Sequence, residues 1–176
     1  MAPAKKAIPG AASARKKASA TGPADAIALL TADHAEVQQL FGQYAQLVED
    51  GADEDERQAL AERICTLLTV HARIEEELFY PAARDVVEKY ELLDEAEVEH
   101  ALAKHLIAEI EDMEPEEVLY DAKVKVLGEY VGHHVKEEET ELFPRCRSAD
   151  MDLEALGREL AERRQELLAD AEEDMG

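Results

Sequence analysis

Apolar residues recur at helical spacing along most of the chain. Between about Asp25 and Glu49, the residues Ile27, Leu30, His34, Val37, Phe41, Tyr44 and Val48 fall near one helix face, and Gly51 is placed to end that helix. A second helix is predicted from about Asp53 into Phe79-Tyr80-Pro81, where Pro81 marks a kink or a new helical start. The third runs from about Leu93 to Met113, with Ala96, Val98, His100, Leu102, Leu106 and Ile110 on an inward stripe, and Glu114-Pro115 breaks it. A fourth spans about Glu117 to Phe143. The last, from Asp152 to about Asp170, carries Leu153, Leu156, Leu160, Leu167 and Leu168 and reads as amphipathic. Short connections make successive helices antiparallel neighbours. The predicted fold is therefore all-α: an antiparallel up-down-up-down four-helix bundle over 24–147, an additional C-terminal helix over 148–176, and a disordered N-terminal tail over 1–23.

Composition supports this and narrows the function classes. At 176 residues the chain is one domain with appendages, rich in helix formers, with few Gly and Pro and no Trp. A net charge of −23 argues against a nucleic-acid-binding core. Residues 1–23 differ from the rest: Lys5, Lys6, Arg15, Lys16 and Lys17 are unaccompanied by any acid, which leaves the remainder at −28. Their low apolar bulk predicts disorder. A solubilising tail, loosely attracted to the acidic bundle, is the favoured reading. The alternatives are a transit peptide or a basic arm whose binding to nucleic acid would be weak at most. Two cysteines, Cys65 and Cys146, are too few for a secreted disulfide scaffold, and no run is apolar enough to span a bilayer. A soluble, cytoplasmic protein is expected.

The chemistry lies in a repeated block. His71-Ala-Arg-Ile-Glu75-Glu-Glu-Leu-Phe-Tyr-Pro81 recurs as His134-Val-Lys-Glu-Glu138-Glu-Thr-Glu-Leu-Phe-Pro144, and 63 residues separate His71 from His134, Glu75 from Glu138 and Pro81 from Pro144. An i,i+4 pair lies on one helix face, so each block aims an imidazole and a carboxylate at one point. Asp33-His34 and Glu99-His100 form a second repeated element. Two helical hairpins thus each offer a lone His and a His-x-x-x-Glu. Alone, a mid-helix His is more often a hydrogen-bonded core residue, and a His-x-x-x-Glu a surface ion pair. Four imidazoles and two carboxylates in one small core, however, need partners that a metal supplies. The candidate metal ligands are His34, His71, Glu75, His100, His134 and Glu138. Six N/O ligands without thiolate suit iron or manganese better than structural zinc. Two carboxylates that bridge would leave each metal with two nitrogens, two carboxylate oxygens, a solvent-derived bridge and one open position.

These residues resemble the bacterial hemerythrins, the HHE cation-binding domain family, over about residues 25–147. The resemblance rests on Asp33-His34, His71-x-x-x-Glu75-Glu-Glu-Leu-Phe-Tyr-Pro81, Glu99-His100 and His134-x-x-x-Glu138-Glu-x-Glu-Leu-Phe-Pro144. It implies two Fe ions, oxo- or hydroxo-bridged, in a four-helix bundle. It further implies a protein that binds or reacts with O2, nitric oxide or peroxide, in oxygen or iron sensing or stress defence. Oxygen-carrying members use five His, two of them i,i+4 on the third helix. Here His100 and His105 are i,i+5, about 140° apart around the helix, so His105 is left out. His133 lies about 100° from His134 and reads as a surface or neighbour-facing residue. The remaining acids of Glu75-Glu76-Glu77 and Glu137-Glu138-Glu139 are expected on solvated faces.

Whether the chain is an enzyme is left open. A non-catalytic metal-storage or sensor module, signalling to a partner through the tail or fifth helix, is the alternative. A ferritin-like carboxylate oxidase needs two Glu-x-x-His motifs, and only Glu97-Val-Glu-His100 fits. No nucleophilic-hydrolase or His-Glu-x-x-His zinc motif occurs.

Overall fold

The computed structural model describes residues 25–88 and 90–174. The basic segment 1–23 lies outside the described residues. Helix α1 (Ala26–Asp50) starts where the Asp25 carboxylate accepts the Ala28 N–H at 2.8 Å and stops at Gly51. That glycine adopts the left-handed conformation, φ 68°, that side-chain-bearing residues avoid. Helix α2 (Glu54–Ile74) is capped by Asp53 and opens on three acids that complement the helix dipole. It continues through a π-helical turn, Glu75–Phe79, into a short α3 (Tyr80–Arg84). Helix α4 covers Tyr90–Glu111. Helix α5 (Tyr120–Glu137) passes through a second π turn, Glu138–Leu142, into α6 (Phe143–Ser148). Helix α7 (Leu153–Asp174) follows. The described residues contain no strand, and none of their helices is long and apolar enough to cross a membrane.

Helix α1 packs on α2, α5 and α7; α4 packs on α2 and α5. Two apolar clusters fill the bundle. One joins the start of α1 (Ile27, Leu30), the end of α2 (Ile74) with its extension (Phe79, Tyr80), the start of α4 (Leu93, Ala96) and the α5 extension (Leu142, Phe143). The other joins the opposite halves, including Leu40, Tyr44, Ile64, Ile107, Tyr120 and Leu127. Beginnings of α1 and α4 thus meet ends of α2 and α5, as an up-down-up-down bundle requires.

The C-terminal helix is not a loose appendage. Leu160 and Leu167 are buried in the first cluster, and Gly157 passes so near the start of α1 that a Cβ there would meet the Ala26 nitrogen at 2.7 Å. Asp152 caps α7 through the Ala155 N–H at 2.9 Å. Three stripe residues depart from expectation: Val48 at the end of α1 and Val98 and Leu102 on α4 are exposed, while Leu93, Ala96, His100, Ile107 and Ile110 form the buried face of α4. A straight helix buries a face of limited width, and His100 selects which one. Both Cys65 and Cys146 are buried and free.

Candidate metal centre

Between the two apolar clusters lies a polar layer. His34 on α1, His71 on α2, Glu75 at the first π turn, His100 on α4, His134 on α5 and Glu138 at the second π turn all converge there. All six are buried, Glu75 completely. The imidazoles form two pairs. His34 Nε2 lies 3.0 Å from His71 Nε2, and His100 Nε2 lies 3.1 Å from His134 Nε2. At a metal–imidazole distance of roughly 2.1 Å, two ligand nitrogens at a right angle are ~3.0 Å apart. Glu75 divides its oxygens between the pairs: Oε1 is 3.2 Å from His71 Nε2 and Oε2 is 3.4 Å from His100 Nε2. Glu138 is arranged differently. Its Oε2 alone faces both pairs, 3.3 Å from His34 Nε2 and 3.5 Å from His134 Nε2.

The outer ring nitrogens face four more carboxylates. His34 Nδ1 is 3.0 Å from Glu139, His100 Nδ1 is 3.0 Å from Glu76, and His134 Nδ1 is 2.7 Å from Glu99. His71 Nδ1 faces Asp33 at 3.5 Å. A carboxylate at Nδ1 accepts a hydrogen bond from the ring N–H, keeps the proton there and leaves the Nε2 lone pair directed inward, the tautomer that metal ligation needs. The expectation that Glu76 and Glu139 merely solvate the surface is therefore corrected. The residue that follows each central Glu supports an imidazole on a neighbouring helix. Glu99, adjacent to His100, does the same for His134, while Asp33, adjacent to His34, stands 3.5 Å from His71 Nδ1 without a hydrogen bond.

Sequence reasoning missed Tyr80. Its hydroxyl donates to Glu138 Oε1 at 2.9 Å and lies 3.4 Å from Glu75 Oε2 and 3.2 Å from His100 Nε2. Five residues along an α-helix are ~140° around, which would aim Tyr80 away from Glu75. A π turn closed i→i+5 instead brings the fifth residue over the first, and the Tyr80 N–H bonds the Glu75 carbonyl in that way. The available signal was Pro81, whose ring cannot continue a regular α turn without relief. The second π turn is equivalent, with Phe143 bonding back to Glu138 ahead of Pro144. Phe143 stacks on His34, ring centroids 5.8 Å apart, where Tyr80 faces His100 at 5.4 Å. The internal two-fold pattern is thus broken at one hydroxyl. His105 and His133 are exposed and pair with Glu109 and Glu137 on their own helices.

The residues present suit a cationic guest. Glu75 Oε1 and Glu138 Oε2 are buried without hydrogen-bond partners, aimed at the imidazole pairs. Lone pairs of two Nδ1-protonated imidazoles cannot face each other at 3.0 Å unless a proton or a metal lies between. Burial works against charging His71 and His100, yet the facing carboxylates prevail and raise them to about 10 and about 9. Burial likewise opposes charge on Glu75, and His71 and His100 nonetheless hold it well below the usual carboxylate range. The carboxylates demand positive charge at the Nε2 positions, and four nitrogens with two carboxylates form an N/O donor set typical of first-row metals. On the side away from Tyr80 and Phe143, all four imidazoles border a cavity of about 40 Å³ walled by Val37, Leu68, Ile107, Val131 and Val135.

No curated protein shows a significant match to the chain. A crystal structure of a hemerythrin HHE cation-binding-domain-containing protein from Mycobacterium kansasii is similar, with a TM-score of 0.70 and 24% identity over 84% of this chain and 89% of that one. At that identity the likeness establishes the fold. The hemerythrin HHE cation-binding domain pattern itself matches residues 25–146, the segment that supplies all six central residues and their four outer carboxylates. With this helical architecture and this buried His/Glu layer, the chain belongs to the hemerythrin HHE cation-binding domain family.

Proposed function

We propose that the layer holds two iron ions and that the chain binds or reacts with O2, nitric oxide or peroxide in the adjoining cavity. One observation carries this reading: two imidazole pairs flank Glu75, whose oxygens divide between them, beneath a cavity bordered by all four rings. His34 and His71 would hold one ion, and His100 and His134 the other. Glu75 would bridge, and Glu138 would reach both through Oε2. Tyr80 adds a hydroxyl on the His100 side, so the two positions are inequivalent. When bound, the iron pair supplies open coordination positions and up to two electrons. The residues supply the rest. Glu76, Glu99 and Glu139 orient three of the imidazoles, and Phe143 packs on His34. The apolar walls hold a volume that suits a diatomic or a few waters, since one water needs roughly 10–15 Å³.

The test is an optical titration of iron-loaded protein with nitric oxide and peroxide. Spectral changes saturating at one ligand per two irons support the proposal; an inert spectrum refutes it. The sensor or storage reading gains from the contact of α7 with Asp33, which links the C-terminal helix to the layer. It differs measurably, predicting ligand binding without steady-state turnover of peroxide or nitric oxide.

A further inference from the structure

Four imidazoles face four carboxylates, but one of the four links is not made. His34, His100 and His134 have Nδ1 hydrogen bonds of 2.7–3.0 Å, all to Glu. His71 Nδ1 is buried with no hydrogen-bond partner, and Asp33 Oδ2 stands off at 3.5 Å. Asp33 is occupied from the other side. Arg164 of α7 grips both its oxygens, Nε to Oδ2 at 3.0 Å and a terminal nitrogen to Oδ1 at 3.0 Å. The pair is mostly shielded from solvent, at 24% and 12% exposure. A two-pronged guanidinium–carboxylate contact fixes the carboxylate plane as well as its position. Cationic pairing alone does not break such a link. Lys104 contacts both oxygens of Glu76, yet Glu76 keeps its 3.0 Å contact with His100. The difference is the guanidinium fork, combined with the shorter reach of Asp. Arg163 bonds Glu77 at 2.7 Å and Leu160 and Leu167 are buried, so α7 cannot easily release the grip.

We propose that Arg164 is a positioning residue for the metal centre: it holds Asp33 off the His71 ring and so makes the His34/His71 position the more electron-poor of the two. The proposal rests on the two-metal reading. A carboxylate bonded at Nδ1 pushes electron density into the ring and strengthens Nε2 as a donor. A stronger donor favours the higher oxidation state of its metal. Freeing Asp33 to bond His71 therefore lowers the reduction potential at that position. Arg164 lies on α7, beyond the family-matched segment 25–146, so the device belongs to the C-terminal helix.

Iron-loaded full-length protein tests this, with iron per chain measured beside midpoint potentials from a spectroelectrochemical titration. Arg164→Met is expected to keep two irons and to lower one of the two couples, leaving the other in place. A tenfold change in the stability ratio of the oxidation states is ~59 mV for one electron. Arg164→Lys, which cannot fork, should shift the same couple in the same direction by less. Adding Asp33→Asn to Arg164→Met should remove the shift, because the freed carboxylate is its cause. Unchanged potentials at two irons per chain would overturn the proposal, as would a shift that survives Asp33→Asn. If Arg164→Met fails to fold, Arg164→Lys decides by the same criteria. Fewer than two irons in the parent protein would instead sink the two-metal reading underneath, an outcome distinct from unchanged potentials at full occupancy.

Discussion

Replacing Glu75 by Gln keeps the shape of the side chain and removes one of the two oxygens able to ligate. Glu75 is fully buried, and its oxygens lie 3.2 Å from His71 Nε2 and 3.4 Å from His100 Nε2. An amide has one oxygen to offer, so it serves one imidazole pair and presents N–H to the other. The variant is expected to hold at most one metal per chain. Metal that binds only the folded chain adds about 4 kcal/mol per site when free metal is a thousandfold above Kd. Two sites thus separate holo from apo protein by roughly 8 kcal/mol, and one site by roughly 4. At about 2–4 °C per kcal/mol for a domain of this size, Glu75→Gln should bring the holo melting temperature ~8–16 °C closer to the apo one. Comparing holo with apo within each protein removes the separate cost of the substitution to the metal-free fold, where His71 and His100 lose a carboxylate partner. Calorimetric melts with metal and with chelator, paired with elemental analysis, measure both quantities. An unchanged holo–apo gap with two metals per chain would refute the assignment of Glu75 as the shared ligand.

Other expectations follow from the same geometry. Tyr80→Phe makes the second imidazole pair resemble the first, where Phe143 faces His34; it should leave metal content intact while changing the spectrum and ligand affinity, and loss of both metals would show a stronger role than the contacts imply. His105→Ala and His133→Ala, both exposed and paired on their own helices, should leave metal content and spectrum as they are; loss of either would place a fifth imidazole in the layer. In metal-free protein His71 is raised to about 10 and His100 to about 9, so their protonation stabilises the fold fully below ~6.5 and this contribution is lost as pH rises through 9–10. Metal competes with those same protons, so the holo–apo melting gap should widen between pH 7 and 9.5 and metal binding at pH 7.5 should release protons; a narrowing gap would contradict the protonation scheme.

The fold was largely legible because apolar spacing and capping agree: Asp25, Asp53, Gly51, Glu114-Pro115 and the leucines of α7 all mark elements that the structure contains. Spacing alone could not choose among stripe residues on α4, where His100 turns inward and Val98 and Leu102 face out. Four of the six central residues were legible because His-x-x-x-Glu is duplicated at a 63-residue interval, and His34 and His100 because Asp33-His34 recurs 66 residues on as Glu99-His100. What surrounds them was not. Glu76 and Glu139 sit in acidic runs that look like solvated faces, and only the packing of neighbouring helices shows which imidazole each meets. Tyr80 was hidden by a change of helical period, since a uniform 3.6-residue turn aims it elsewhere. Arg164 lies 131 residues from Asp33, and no local pattern joins them.

The central claim is that two imidazole pairs sharing Glu75 hold two irons side by side. X-ray absorption at the iron edge, on protein expressed with ample iron and assayed for all first-row metals, tests it most directly. Two irons per chain, N/O coordination and an iron neighbour within ~4 Å are the expected result. One zinc per chain without iron, or iron lacking any metal neighbour within that distance, would contradict it.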